Sequence, residues 1–373
     1  MTNPVSGKLA AVIAIAFGVA MAVVHSPNAL DAALLPRVAA LALCVMVGLI
    51  LLRTRAIALR EPITLAFAAF VLLQWASVVQ ANVLADAVQH CLEWTLMLAA
   101  FILLRGLKAY RSDWPRLLGL AIASFCAVGL LLGPLLGTEG ESGAWVATFG
   151  GANQYAAVLA LCAGFVLVMC AQSTGWQRWL LLAVACAAVA MLWMLGSLAA
   201  WLALAIQVLV GAVLFRRLRF KAFGKKTMWL LPLTLLVVAL GAGSAIWSVE
   251  GDSDVVTPAL VQDVEMLHEL GYRGPTSTEI RQLLYGKTGQ MIADYPLLGV
   301  GAAQWRFHFP SYGLREFWPN VQEGTIQYQR AHSDYLEIWA EGGIFALLAF
   351  MALLGLGFRG AWQQRRSMQR NEA

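Results

Sequence analysis

WLLLAVACAAVAMLWMLGSLAAWLALAIQVLVGAVLF, residues 179–215, holds two apolar runs parted only by Gly196 and Ser197, and it contains no charged residue. A helix that crosses a bilayer needs about 20 mainly apolar residues, and each run approaches that length. The stretch reads as two spans, 179–195 and 198–215, turned back on each other in a tight helical hairpin.

The same pattern recurs on both sides. Ten spans are expected, at 9–25, 36–52, 62–81, 84–104, 117–136, 154–171, 179–195, 198–215, 228–247 and 334–358. Pro36 and Pro62 suit first-turn positions, where the missing N–H is not needed. Of 373 residues, 60% are hydrophobic and 13% charged, against about 25% charged in a soluble domain. The run after Lys8 resembles a signal peptide. No clear small-residue cleavage site follows it and further spans do, which favours a retained first span. Cys44, Cys91, Cys126, Cys162, Cys170 and Cys186 all fall in apolar runs without a CxxC pair. They read as small packing residues rather than a disulfide framework or a zinc site.

Basic residues alternate from one connection to the next. Lys8, the groups around Arg53, Arg105, Arg178 and Arg216, and the tail after Arg359 place 19 of the 26 Lys and Arg on one face. By the positive-inside rule that face is cytoplasmic and carries both termini. The net charge of +5 therefore belongs to cytoplasmic loops and implies no nucleic-acid partner. The chain divides into N-terminal spans (1–136), central spans (137–247), a large non-cytoplasmic loop (248–333) and a final span with a basic tail (334–373).

Three polar segments carry candidate chemistry. In 276–295, TSTEIRQLLYGKTGQMIADY, Thr276 and Glu279 form a capping-box pattern. Ile280, Leu283, Leu284, Lys287 and Met291 follow helical spacing, and Arg281, Tyr285, Thr288 and Ile292 share a neighbouring face. Spacing alone leaves Arg281 either in a cleft or in solvent. Next, PLLGVG at 296–301 ends that helix; Gly299 and Gly301 allow either a simple turn or a backbone nest for an anion. Then RAHSDYLEIWAEGG at 330–343 puts His332 just before a helix N-cap at Ser333, with Asp334 and Glu337 in the first turn. A general base and an interfacial histidine both fit that place. Elsewhere, Asn153 and Gln154 open a span as sugar ligands or caps. His90 and Glu93 lie three apart within a span and read as a structural pair. Asp252 and Asp254 form a DxD of a kind acidic loops produce by chance, so no metal is expected.

TFGGANQYAAVLA (148–160), IRQLLYGKTGQMIADYPLLGVGAAQW (280–305) and AHSDYLEIWAEGGIFALL (331–348), in this order, resemble the O-antigen ligase and polymerase superfamily of bacterial membrane glycosyltransferases. The resemblance covers about the last 230 residues and rests on the last two segments together. It implies an all-α, polytopic membrane protein of roughly ten transmembrane helices, GT-C-like, with a large, partly helical periplasmic loop, in the bacterial inner membrane. The implied reaction moves a glycan, with inversion, from an undecaprenyl-pyrophosphate carrier to an acceptor hydroxyl on lipid A-core or another glycan. It implies Arg281 as the cation on the pyrophosphate and His332 as the base. Arg37, Asn153, Tyr285, Gly299, Gly301, Asp334 and Glu337 are the further substrate-binding candidates. No cofactor is expected, because a bidentate arginine neutralises phosphate by itself. Ligases, polymerases and protein O-oligosaccharyltransferases share these segments. Small-anion (inorganic-carbon) transport and a non-catalytic assembly role are the readings from other classes. Two positions depart from the pattern. Leu198 stands where the family often has an arginine after Gly-Ser, and Gly151 where it usually has an asparagine. Arg37, Arg273, Lys287, Arg306, Arg315 and Arg330 are candidates to replace the missing cation.

Overall fold

A computed structural model describes residues 7–23, 60–110, 114–136, 152–215, 277–313 and 330–371, with positions 38, 41, 42 and 328 in addition. Among these, the regular elements are helices alone. They are α1 (Gly7–Val23), α2 (Pro62–Ser77), α3 (Leu84–Tyr110), α4 (Trp114–Leu136), α5 (Ala152–Gln172), α6 (Gly175–Leu195), α7 (Leu198–Phe215), α8 (Ser277–Asp294), α9 (Trp305–His308) and α10 (Asp334–Asn371). Short 3-10 turns follow α2 at Val78–Gln80 and α9 at Phe309–Tyr312.

Eight of the ten expected spans coincide with these helices. Nearly all of the second (36–52) and the whole of the ninth (228–247) lie outside the described residues, as do Thr276 of the capping box, Asp252 and Asp254. Four helical stretches are long and apolar enough to cross a membrane: Pro62–Gln80, Leu84–Gly106, Gly175–Leu195 and Asp334–Gln363. The apolar parts of α1, α4, α5 and α7 are shorter. The chain is a helical membrane protein.

The hairpin between α6 and α7 forms as its sequence dictates. Gly196 takes φ +61 as the C-cap of α6 and bonds Trp193 O. That left-handed conformation ends a helix at little cost only for a residue without a side chain. Pro62 opens α2 after Glu61, where its fixed φ is already helical.

The helices sort into two compact units that cut across chain order, with the chain crossing between them near residues 40, 110 and 261. One unit contains α1 and α4–α7. Its core joins Cys126, Tyr155, Leu159, Cys162, Leu192, Trp201 and Leu204. Helices α1 and α4 approach closely there: a Cβ on Gly18 would meet Ala121 O at 2.1 Å, and Ser124 Oγ donates to Ile15 O at 3.2 Å. Small residues that admit a neighbouring backbone are what lipid-embedded helices use in place of hydrophobic collapse. The cysteines at 91, 126, 162 and 170 are buried and Cys186 is exposed, all as free thiols.

The other unit contains α2, α3 and α8–α10. Phe67 and Phe70 of α2 meet Trp94 of α3 edge-on, and Phe70 also packs on Phe350 of α10. His90 Nε2 accepts the Trp94 indole N–H at 3.0 Å, and Glu93 accepts from Gln89 at 3.2 Å. Each member of the expected His90–Glu93 pair thus takes a hydrogen bond from a different neighbour. The apolar side of α8 (Leu284, Met291, Ile292) closes on Val300, Trp305, Phe309, Ala331 and Ala340.

Candidate functional site

Helix α10 breaks at Gly343, where φ is +73 and ψ −177. A break frees backbone groups that the apolar part of a bilayer cannot satisfy. The loop after α8 satisfies them. Val300 N–H donates to Ala340 O at 2.8 Å, Gly301 N–H to Glu341 O at 3.0 Å, and Ile344 N–H to Pro296 O at 3.0 Å. The fit leaves no room for side chains: a Cβ on Gly343 would stand 2.0 Å from Leu297 O, and one on Gly299 2.4 Å from the Glu341 carbonyl.

Of the two readings open for Gly299 and Gly301, these bonds fit the turn rather than the anion nest. The Gly299 N–H bonds Tyr295 O and the Gly301 N–H bonds Glu341 O. Both donors are committed within the chain, and the two glycines are a clamp on α10. The segment after it is fastened to the α2–α3 turn. The Gln304 side chain accepts Val83 N–H at 2.8 Å and donates to Val83 O at 3.1 Å. Arg306 pairs with Asp86 at 2.5 Å.

With α8 and α10 locked by this loop, the two catalytic candidates share a neighbourhood. His332 sits immediately before Ser333 and α10 in the left-handed region, φ +55. For a residue with a Cβ that conformation costs on the order of 1–2 kcal/mol and persists only where neighbours fix it. Two side chains do so. The Tyr285 hydroxyl, from α8, donates to His332 O at 3.1 Å. The Glu337 carboxylate accepts the Ala331 N–H at 3.0 Å. The imidazole itself is exposed.

His332 titrates below the ordinary histidine range. Partial burial is the larger cause, followed by the positive charges of Arg281 and Arg330. Arg281, on the first turns of α8, and Arg330, two residues before the histidine, are both exposed. With its basicity lowered in this way, the imidazole is neutral near pH 7 and able to accept a proton.

The expected face of α8 changes character along its length. Arg281 and Tyr285 are exposed, whereas Thr288 and Ile292 are buried, because Trp305 covers the second half. Asp334 is exposed in the first turn of α10. Asn153 is the second residue of α5 and Leu198 the first of α7; both belong to the unit that lacks His332. Arg37, Arg273 and Arg315 lie outside the described residues. Of the other cations considered for the missing one, Arg306 is paired with Asp86 and Lys287 is half-buried. Arg330 is the one whose charge reaches His332.

Sequence reasoning passed over Glu341 and Trp305. The signal was present: an ionisable residue in an apolar run followed by Gly342-Gly343 marks an expensive group and a helix break at one place.

The fold is that of a helical membrane protein, with His332 just before its last described helix and the charges of Arg281 and Arg330 acting on it. Residues 182–351, from inside α6 to inside α10, match the family model described as O-antigen ligase. The activity of that family is glycan transfer of the ligase or polymerase type. No curated protein matches the chain.

Proposed function

We propose that the protein transfers a glycan from an undecaprenyl-pyrophosphate carrier to an acceptor hydroxyl at the outer face of the bacterial inner membrane. The observation that carries this reading is the placement of His332. Its backbone is fixed in a strained conformation by Tyr285 and Glu337, and its basicity is lowered by burial, Arg281 and Arg330.

The acceptor oxygen attacks the anomeric carbon, and the bond from that carbon to the pyrophosphate oxygen breaks. His332 takes the hydroxyl proton and becomes imidazolium, while undecaprenyl pyrophosphate leaves with the bonding pair. Attack opposite the leaving group inverts the anomeric centre. Arg281 and Arg330 stabilise the charge that grows on the departing pyrophosphate, where fixed donors are worth most. In this reading Arg330 is the second cation on the pyrophosphate. Asp334, exposed in the first turn of α10, is a further candidate contact for the acceptor. Lipid A-core is the acceptor in the ligase form of the reaction.

The test is glycan transfer and lipid-linked donor binding by purified variants at equal expression. His332→Ala is expected to lose transfer and keep most donor binding, because the base acts on the acceptor. Arg281→Ala is expected to lose both. Near-normal turnover by His332→Ala would remove the base from the mechanism. In cells, deletion of the gene is expected to accumulate full-length lipid-linked polymer; single repeat units would point to the polymerase form instead.

A further inference from the structure

Buried polar groups join α10 to α8 through α9. Glu341 Oε1 accepts the Trp305 N–H at 3.0 Å, and its carboxylate also accepts the N–H of Ala303, a residue at φ +56. Trp305 Nε1 donates to Thr288 Oγ1 at 3.0 Å, and the Thr288 hydroxyl donates to Leu284 O at 2.6 Å. Glu341 is 5% exposed, Trp305 1%, and Thr288 and Leu284 are fully buried. A carboxyl group in such a place is costly to bury unless its oxygens are hydrogen-bonded. Its two backbone donors offset part of that cost, whereas an apolar side chain would avoid it. The acid therefore has a use that packing does not supply.

That use follows from where the network ends. Leu284 and Thr288 bracket Tyr285 on α8, and Tyr285 bonds His332 O. Helix α8 is thus held to the α10 segment at two separated places, one at His332 and one at Glu341. Two attachments fix both the rotation and the register of a helix, where one leaves it free to turn. Arg281 lies one turn before Tyr285 on the same side of α8. Its distance from the imidazole is consequently set by the deeper attachment as well as by the nearer one.

We propose that Glu341, Trp305 and Thr288 form a positioning relay that sets Arg281 against His332, with no member touching substrate. The relay rests on His332 being the base, and its test is independent of any glycan. Diethyl pyrocarbonate modifies neutral imidazole, so its rate at the His332 peptide, followed by mass spectrometry against pH, reports the protonation of this side chain. The charged groups around it are Arg281 on α8, Arg330 in its own segment, and Asp334 and Glu337 in the first turns of α10. When the relay is cut, Arg281 drifts from the imidazole and the midpoint of modification rises.

Thr288→Val is expected to raise that midpoint in the folded protein and to lower kcat for glycan transfer by roughly tenfold to a hundredfold, the cost of a displacement near 1 Å. Thr288→Ser keeps the hydroxyl and is expected to restore both. Trp305→Phe removes the indole N–H but keeps the backbone donor to Glu341. It is expected to match Thr288→Val, and the double variant to add little, as members of one network do. Should Thr288→Val fail to fold, Trp305→Phe carries the test. A purely structural role would lower the yield of folded protein and leave the midpoint unmoved; a folded variant with an unmoved midpoint overturns the relay. Turnover that survives in His332→Ala overturns the base instead, so the two failures are distinguishable.

Discussion

The carboxylate of Glu337 accepts the Ala331 N–H at 3.0 Å, so the acid holds the residue before the candidate base rather than the imidazole. An amide oxygen can accept the same bond, with less strength than a charged acceptor. Glu337→Gln is expected to keep kcat within a few-fold of wild type, and Glu337→Ala to lower it by at least tenfold. The comparison is made in the transfer assay. Equal losses in the two variants would show that the negative charge of Glu337, rather than its hold on the backbone, is what the reaction uses.

The two arginines beside His332 are expected to separate by pH profile. Both charges oppose protonation of the imidazole. Removing one raises its pKa, so the acid limb of kcat/KM moves to higher pH. Arg330→Gln is expected to show that move together with weaker donor binding. Arg281→Lys keeps the charge and loses the bidentate fork, so its limb stays in place while turnover falls. The measurement is kcat/KM across the acid range for each variant. A limb that does not move in Arg330→Gln would remove Arg330 from the role of second cation.

The break in α10 predicts a sharp contrast between two glycines of one helix. Gly343→Ala puts a side chain at φ +73 and ψ −177, a region open essentially to glycine alone, at a cost of about 1–3 kcal/mol, and drives its Cβ to 2.0 Å from Leu297 O. Gly355 has nothing within 4 Å of its would-be Cβ, and Gly→Ala within a helix gains roughly 0.5–1 kcal/mol. Thermal unfolding in detergent is expected to show a large loss for Gly343→Ala and none for Gly355→Ala.

The alternation of basic connections predicts topology. A cysteine at Asp254 is expected to react with an impermeant reagent in intact cells, and one at Lys225 to react only after the membrane is opened. The reverse pattern would invert the protein and place the candidate site on the cytoplasmic face.

The helices were legible in the sequence because a bilayer imposes a coarse rule. Each crossing needs a long apolar run, and the interruption at Gly196-Ser197 is as visible in the chain as in the fold. Helix α8 was legible for a related reason: its apolar spacing and Pro296 mark its length, and it runs from Ser277 to Asp294. His332 and Arg281 were singled out by the family resemblance, because spacing alone left Arg281 either in a cleft or in solvent and His332 either a base or an interfacial residue. What PLLGVG does was not. A glycine-rich turn can bind an anion or receive a helix, and only the partner decides. Here Gly343 frees the carbonyls of Ala340 and Glu341, and the N–H groups of Val300 and Gly301 are spent on them. In the same way no local pattern says that Glu341, Trp305 and Thr288 meet, since Trp305 lies 17 residues from Thr288 and 36 from Glu341. The sequence by itself determined which of the described segments are helical, and it offered candidates for acid–base and phosphate chemistry. The tertiary structure alone decided which buried hydrogen bonds close between them, because each such bond depends on a partner that the chain brings near only after it folds.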